Sequence, residues 1–225
     1  MNRVVTVALF LALLLLTPIL TAEKCEKEAF FDMMAQAWEE MSQHNTGELA
    51  RIREIISSFG LKEGETVLDA GCGTGRLIPF LLKEVGRNGR IYALDCSQEM
   101  LLIAKQKQYD GNVSFIKADI TEMPLPPESM DRIICFRTFA HIDNKTGALR
   151  EFFRVLKPSG VVVICNLLGS KELNELHKEI GRAVANDISP SAQEMKRLFL
   201  GSNFTPLELL DSESLYLMTA SKPHN

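Results

Sequence analysis

A glycine-rich turn preceded by an apolar run and an acid is the segment of this chain best suited to chemistry. Residues 67–75 read VLDAGCGTG, and their three glycines let the backbone turn tightly and approach a ligand where a Cβ would clash. A dinucleotide site uses the spacing G-x-G-x-x-G, so that a helix N-terminus meets a pyrophosphate, whereas the spacing here is G-x-G-x-G. Asp69 would repel a phosphate but suits a cationic amino group. The segment therefore predicts a site for a positively charged nucleotide cofactor.

Further acids and turns follow in an order that extends this site. Asp95 ends the apolar run 90–94, where an acidic side chain would accept hydrogen bonds from both ribose hydroxyls. The run 113–118 leads into Asp119, and residues 152–160 read FFRVLKPSG. Together these segments describe successive strand ends of one sheet.

These motifs, in this order, resemble the class I S-adenosylmethionine-dependent methyltransferases over about residues 60–221. The resemblance implies S-adenosylmethionine as cofactor, with its amino-acid part on Asp69 and the glycine loop, its ribose on Asp95, and its adenine near Asp119. The family usually has a second glycine where this chain has Ser159, a departure that affects a turn and not the cofactor. The implied cofactor-binding residues are Asp69, Gly71, Cys72, Gly73, Thr74, Gly75, Asp95, Cys96, Met100, Asp119, Ile120 and Phe136.

Several of these residues also have a purely structural interpretation. Asp95 could cap the helix that begins at Gln98, and Ser97 is an equally good candidate for that cap. Asp119 could be an ordinary loop aspartate, and Met100 could be a core residue. The cysteines beside the cleft could be small buried hydrophobes without chemistry.

Residues for the methyl acceptor are less sharply marked. The segment 30–38 is amphipathic and is either a lid over the cofactor and the acceptor or a helix that packs on the domain surface. His141 matches a histidine frequent in the small-molecule branch of the family, where it is either a general base or a structural residue. Asn166 is an acceptor contact or a loop hydrogen-bonder. The predicted acceptor contacts are Phe31, Trp38, Arg137 and Asn166, with His141 as the candidate catalytic base.

Apolar runs alternate with helical patterns, which predicts a doubly wound, Rossmann-like α/β fold. We expect a seven-stranded sheet that is mostly parallel, with one antiparallel strand in a C-terminal hairpin, because the loop 211–214 is too short for a crossover helix. The predicted strands are 66–70, 90–95, 113–117, 130–136, 161–168, 205–210 and 215–221. The predicted helices are 46–59, 75–85, 98–108, 146–156, 171–186 and 191–200.

Charge and cysteine content restrict the partners. A net charge of −4 without a lysine or arginine cluster argues against a nucleic-acid footprint. The end of strand four reads CFRT and lacks the Asp-Pro-Pro-aromatic signature of nucleic-acid amino-methylating enzymes. The 5 cysteines form no C-x-x-C pair and no metal-ligand spacing, so reduced thiols and no metal are expected.

The N-terminus carries a nearly continuous apolar run over residues 4–20. It is interpreted as a membrane anchor, a cleaved signal peptide or an upstream extension. Residues 1–22 are accordingly assigned to this segment, 23–59 to a helical lid region and 60–225 to the cofactor-binding domain. We expect a membrane-associated protein with its catalytic domain in the cytosol, or an exported protein if the segment is cleaved.

Three function classes follow. The leading one is a small-molecule methyltransferase similar to the quinone-biosynthesis C-methyltransferases, whose membrane-soluble substrates would explain the apolar N-terminus. A nicotinamide-dependent oxidoreductase is disfavoured by the glycine spacing. A non-catalytic cofactor-binding or membrane-tethered interaction protein would bind the cofactor and transfer nothing.

Overall fold

The computed structural model of the chain describes residues 26–43 and 46–224 and has a seven-stranded sheet at its centre. The strand order is β3-β2-β1-β4-β5-β7-β6, and β7 runs antiparallel to both of its neighbours. This confirms the predicted mostly parallel sheet with one antiparallel strand. The strands are β1 Thr66–Ala70, β2 Arg90–Asp95, β3 Asn112–Lys117, β4 Met130–Phe136, β5 Leu156–Asn166, β6 Thr205–Ser212 and β7 Leu215–Ser221.

Helices lie on both faces of the sheet and above its carboxyl edge. The α-helices are α1 Glu26–Gln43, α2 Thr46–Ser58, α3 Ile78–Val85, α4 Gln98–Gln106, α5 Lys145–Val155, α6 Ser170–Ile180 and α7 Ala192–Gly201. Two short 3-10 turns, Phe139–His141 and Arg182–Val184, join longer elements. Alternating strand residues explain the two covered faces, since neighbouring side chains point to opposite sides of a strand.

The core consists of two buried clusters, one on each face. On one face Leu68 and Ile133 lie in the same cluster as Phe152 of α5. On the other face Val67 belongs to a cluster with Leu81 of α3. All five side chains are fully buried, so the sheet is a rigid support for the loops at its strand ends.

Three predicted boundaries differ from the observed ones by three residues or more, and each difference has a physical cause. Strand β5 begins at Leu156 and not at Val161, because Leu156 pairs with Met130 before the register shifts. The helix predicted to start at Gly75 begins at Ile78, after the glycine turn ends. The helix predicted for 171–186 ends at Ile180, because Gly181 adopts a φ of +70° that no α-helix continues.

The backbone conformation at Ser159, within the turn-like first part of β5, explains why the family usually has a glycine at this position. Ser159 has a φ of +63°, in the left-handed region that favours glycine. Its amide donates to the Lys222 carbonyl at 3.1 Å. The departure at this position therefore concerns backbone conformation at the far edge of the domain.

Candidate cofactor and acceptor site

A cavity of about 560 Å³ opens at the carboxyl ends of β1, β2 and β4. The chain turns from β1 toward β2 and β3 on one side and later returns to β4 on the other, and open α/β sheets bind ligands at such a switch point. The volume lies within the ~300–1,000 Å³ typical of small-molecule sites. Its lining includes Lys27, Glu28, Phe31, Trp38, Asp69, Gly71, Cys72, Gly73, Thr74, Arg76, Asp95, Cys96, Met100, Lys117, Asp119, Ile120, Phe136, Arg137, Thr138, His141 and Asp143.

All but two of the residues predicted from sequence line this cavity. Gly75 lies behind it, where its amide donates to the Cys72 carbonyl at 2.9 Å and an added Cβ would collide with the Tyr109 hydroxyl. Asn166 is buried at the end of β5, and its Oδ1 accepts from the Leu168 amide at 3.1 Å. Gly75 thus shapes the turn, and Asn166 matches the loop hydrogen-bonder of its alternative interpretation.

The first two glycines of the loop have different surroundings. Gly71 has a φ of +81°, and a Cβ there would collide with the Thr138 side chain, whose hydroxyl donates to the Gly71 carbonyl at 3.1 Å. Gly73 has a φ of +54°, and a Cβ there would meet only the Met100 sulfur, at 3.9 Å. The loop therefore packs tightly at Gly71 and leaves space on the cavity side at Gly73.

Asp69 is a buried carboxylate that lacks protein partners. It ends β1 with 1% of its surface exposed, and neither carboxylate oxygen has a hydrogen-bond partner among the described residues. Burial, with repulsion from Asp95, raises the pKa of Asp69 to about 8. An unpaired buried carboxylate is costly, and a ligand ammonium would relieve that cost. This orphaned acid beside the open Gly73 backbone fits the amino-acid end of the implied cofactor.

Asp95, at the end of β2, connects the glycine loop after β1 to the loop that follows β2. Its carboxylate accepts from the Gly73 amide at 2.8 Å and from the Ser97 amide at 2.9 Å. Burial raises its pKa. Ser97, and not Asp95, caps α4, since its hydroxyl accepts from the Met100 amide at 3.1 Å. A carboxylate has about four acceptor positions, so capacity remains at Asp95 for ribose hydroxyls.

The lining also contains apolar side chains. Met100 and Ile120 are buried there, and Asp119 lies in the loop after β3. Asp119 Oδ1 accepts from both the amide and the hydroxyl of Thr121 at 2.7 Å, which holds the loop in place. Burial raises the pKa of the Cys96 thiol to about 12, so this cysteine stays protonated and is a poor nucleophile near neutral pH.

Helix α1 contributes side chains to the cavity lining and also packs on the domain; its predicted role as a lid stays a prediction. Phe31 and Trp38 line the cavity. Phe30 and Met34 form a separate apolar cluster with Val184. Three polar contacts fasten the helix: Glu28 to Lys117 at 2.9 Å, Asp32 to the Ser97 hydroxyl at 2.6 Å, and Glu39 to Lys107 at 2.7 Å.

Sequence reasoning missed Arg76, which directly follows the third glycine. One of its guanidinium nitrogens pairs with Glu48 of α2 at 2.8 Å, and Arg137 contacts the same carboxylate at 2.5 Å. The Arg76 Nε and Nη2 atoms are buried without a partner among the described residues. An arginine with two unpartnered nitrogen donors therefore lines the same cavity as the unpartnered carboxylate of Asp69. Its place next to the glycine motif was the only sequence feature that marked it.

Asp187 was also missed, because it lies 46 residues from its partner in a loop without periodicity. Its carboxylate lies 2.5 Å from His141 Nδ1 and 2.7 Å from Lys27 Nζ. His141, predicted as the base, follows β4 and lines the cavity. The contact joins this histidine to a buried acid that no motif indicates.

Comparison with known proteins identifies a methyltransferase domain in this chain. Residues 61–208 match a family model described as a methyltransferase domain. The ubiquinone/menaquinone biosynthesis C-methyltransferase UbiE of Proteus mirabilis is 31% identical over 154 residues, which cover 64% of this chain and 61% of that protein. UbiE of Vibrio parahaemolyticus is 30% identical over 186 residues, covering 80% of this chain and 71% of that protein. The chain thus spans about 60% of the length of several such relatives.

Solved structures share the fold. A SAM-dependent methyltransferase from Aquifex aeolicus superposes with a TM-score of 0.69 at 26% identity, over 84% of this chain and 98% of that one. The [4+2]-cyclase SpnF superposes with a TM-score of 0.63 at 17% identity, over 78% and 82% of the two chains, and this likeness shows the fold alone.

The sequence predictions about a membrane segment and about metal binding remain. The apolar segment 4–20 lies outside the residues that the structure describes. Within residues 26–43 and 46–224, no helix has the length and apolar character needed to cross a bilayer. The same residues contain no group of three or more acidic, histidine or cysteine side chains that could hold a metal ion.

Proposed function

This chain belongs to the class I S-adenosylmethionine-dependent methyltransferases, and we propose that it transfers a methyl group to a small-molecule acceptor. S-adenosyl-L-methionine is the cofactor, and when bound it supplies an electrophilic methyl group on a sulfonium. The observation that carries the proposal is the orphaned Asp69 carboxylate beside the open backbone of Gly73. Neither feature stabilises the ligand-free protein, and both suit a ligand with an ammonium group.

The remaining cavity residues would hold and orient the cofactor. Asp95 would accept the ribose hydroxyls while it keeps the Gly73 and Ser97 amides in place. Met100 and Ile120 would provide an apolar surface for adenine, with Asp119 at its edge.

Positioning supplies most of the catalysis in this proposal. The donor carries its own leaving group, so the protein must align the acceptor and exclude water. Such alignment is worth effective molarities of about 10⁵ M or more. Phe31 and Trp38 of α1 cover the cavity, and Arg137 and His141 lie at its acceptor side. His141 serves as a general base where the acceptor must lose a proton.

We infer a quinone-like acceptor as the finer assignment. Relatives about 30% identical are named for ubiquinone and menaquinone biosynthesis. The aromatic rings of Phe31, Trp38 and Phe136 in the cavity lining would contact a planar apolar ring. A nucleic-acid acceptor is disfavoured by the net charge of −4.

A cytosolic catalytic domain suits this function, because S-adenosylmethionine is a cytosolic metabolite. Association of residues 4–20 with a membrane would bring the enzyme to membrane-soluble quinols; an exported form is the alternative. The mass of the protein recovered from cells distinguishes the two, since only a cleaved signal segment would be missing from it.

The test is methyl transfer from S-adenosylmethionine with a radiolabelled methyl group to a chemically reduced, short-chain naphthoquinol. We expect label in the organic extract with the wild-type chain, and a loss of at least about a hundredfold with Asp95→Ala. Asp110→Ala, at an exposed acid outside the cavity lining, should retain full activity. Cofactor binding without transfer to any screened acceptor would favour the non-catalytic binding protein. Thermal stabilisation by NAD, without any by S-adenosylhomocysteine, would favour the oxidoreductase.

A further inference from the structure

His141, which lines the cavity, is hydrogen-bonded to the buried side chain of Asp187. His141 ends the short 3-10 turn after β4, and Asp187 lies between the turn Arg182–Val184 and α7. The His141 Nδ1 atom and the Asp187 Oδ2 atom are 2.5 Å apart. The Asp187 side chain is 2% exposed, whereas that of His141 is 17% exposed and reaches the cavity.

The chemistry of the two groups fixes the direction of this hydrogen bond. Burial alone would raise the pKa of Asp187, but the hydrogen bonds from His141 and Lys27 outweigh it and hold the pKa below its usual value. An ionised carboxylate can only accept, so Nδ1 must donate. The described residues give Nε2 no hydrogen bond, and a neutral ring with its proton on Nδ1 has a free electron pair at Nε2.

Charged and titratable groups from three other elements surround the pair. Lys27 of α1 donates to the His141 carbonyl at 2.8 Å and to Asp143 at 2.5 Å. His177 of α6 donates through Nδ1 to the Asp187 carbonyl at 2.9 Å, and burial lowers its pKa. Lys145 of α5 donates to the Ile142 carbonyl at 2.8 Å.

These neighbours leave Asp187 as the only carboxylate on the His141 ring among the described residues. The ring of His177 lies 4.9 Å from that of His141, and it is kept neutral by burial. The Phe31 ring also contacts the imidazole, with the two ring centroids 5.1 Å apart. The imidazole thus contacts two rings, with one nitrogen bound to Asp187.

We propose that Asp187 is a positioning residue that holds His141 in the Nδ1–H form and leaves Nε2 as a base for a methyl acceptor with an acidic hydroxyl. This inference rests on the proposed function. In the step we infer, the hydroxyl proton passes to Nε2, and the electron pair of the O–H bond stays on the acceptor oxygen. The imidazolium that forms keeps its hydrogen bond to the Asp187 carboxylate until solvent removes the proton.

Ring-nitrogen NMR of the full chain tests this directly. The protein carries isotope-labelled histidine and is saturated with S-adenosylhomocysteine at a pH where the imidazoles are neutral. The chain has 4 histidines, and the signals lost in His141→Gln identify His141. We expect the Nδ1–H form to dominate in the wild type. Asp187→Ala should shift the ratio of the two forms toward Nε2–H by about tenfold or more, because a charge-assisted hydrogen bond is lost.

Asp143→Ala is the matched control. It removes another carboxylate partner of Lys27, 82% exposed, without touching the His141 ring. The control should keep the wild-type ratio of forms. A dominant Nε2–H form in the wild type, or an unchanged ratio in Asp187→Ala, would overturn the proposal. Asp187→Asn keeps the side-chain shape and replaces Asp187→Ala if the alanine variant does not fold.

Kinetics with the naphthoquinol separate a positioning role from a purely structural one. His141→Gln and Asp187→Asn should both lower kcat at least about tenfold, with little change in KM and in S-adenosylhomocysteine affinity. A fall in cofactor affinity alone would assign Asp187 to structure and contradict the proposal. Failure of the wild type to bind S-adenosylhomocysteine would instead contradict the proposed function, because the ratio of histidine forms is also measurable without ligand.

Discussion

At the scale of single residues, Asp69 gives the most specific evidence for the chemical nature of the ligand. Its carboxylate is buried without a partner among the described residues, and its pKa is raised to about 8 by burial and by repulsion from Asp95. A bound ammonium favours the ionised form and lowers that pKa again. Ligand binding at neutral pH must therefore expel a proton.

We predict release of about one proton per S-adenosylhomocysteine bound near pH 7. Calorimetry in two buffers with different ionisation enthalpies measures this number. Asp69→Asn should bind more weakly and release far less. An unchanged release in Asp69→Asn would assign the proton to Asp95, and no release from the wild type would contradict the assignment of the ammonium to Asp69.

Arg76 is the complementary residue, because two of its N–H groups are buried without a partner among the described residues. We predict that it binds the cofactor carboxylate. Arg76→Gln should weaken S-adenosylhomocysteine about tenfold to a hundredfold, the value of one charged hydrogen bond. Methylthioadenosine lacks the amino-acid part, so its affinity should not change.

Arg137→Gln is the control for this prediction, since Arg137 shares the Glu48 carboxylate with Arg76. It should affect the two ligands equally. Equal weakening of both ligands by Arg76→Gln would show that the arginine only shapes the loop. Titration by calorimetry gives the affinities of both ligands for the wild type and for each of the two variants.

Whether the role of a residue could be predicted from the sequence depends on whether neighbouring residues specify that role. Asp69 and the glycines act through backbone turns that a few neighbouring residues specify. Asp187 acquires its role only when a loop returns to His141, and no nearby pattern carries that information. Local chemistry was therefore predictable and long-range pairing was not.

At the scale of elements, we propose that α1 acts as a lid over the cavity, whose lining includes its Phe31 and Trp38. The helix is held to the N-terminus of α4 by Asp32, which accepts from the Ser97 hydroxyl at 2.6 Å and the Glu99 amide at 3.1 Å. Trp38, the only tryptophan of the chain, lines the cavity from this helix. Its fluorescence reports the state of α1.

We predict that S-adenosylhomocysteine changes the fluorescence of Trp38 and protects it from acrylamide quenching. Asp32→Ala should reduce that protection and weaken ligand binding about threefold to tenfold, as expected for loss of a capping interaction. Gln36→Ala, on the exposed side of the same helix, should behave as wild type. Equal protection in Asp32→Ala and wild type would show that this contact does not hold α1 over the cavity.

Element boundaries show the same contrast between local and distant control. The bounds of β1, β2, β4 and β7 agree with the prediction, because apolar runs and flanking turns mark them locally. The start of β5 was wrong because pairing of Leu156 with Met130 sets it. Such pairing is a property of two strands and not of one sequence segment.

At the scale of the whole molecule, the buried acids couple stability to pH. Asp69 titrates near pH 8 in the folded chain and near its ordinary value of 3.8 when unfolded. Between these values the folded state binds more protons, so the free energy of unfolding falls as pH rises. Asp95 shifts in the same direction.

We predict that the ligand-free protein is about 1–3 kcal/mol less stable at pH 7.5 than at pH 5.5. Urea unfolding at the two pH values measures the difference. Asp69→Asn should reduce it, and saturating S-adenosylhomocysteine should reverse part of it by favouring the ionised acid. The same pH dependence in Asp69→Asn and in the wild type would contradict the assigned burial of Asp69, since the lowered pKa of His177 acts equally in both.

The most direct measurement is calorimetric binding of S-adenosylhomocysteine to the full chain beside its Asp95→Ala variant, with thermal melting as the check on folding. The account predicts micromolar binding by the wild type and loss of binding by a folded Asp95→Ala. A folded wild type that binds no S-adenosylhomocysteine would contradict it.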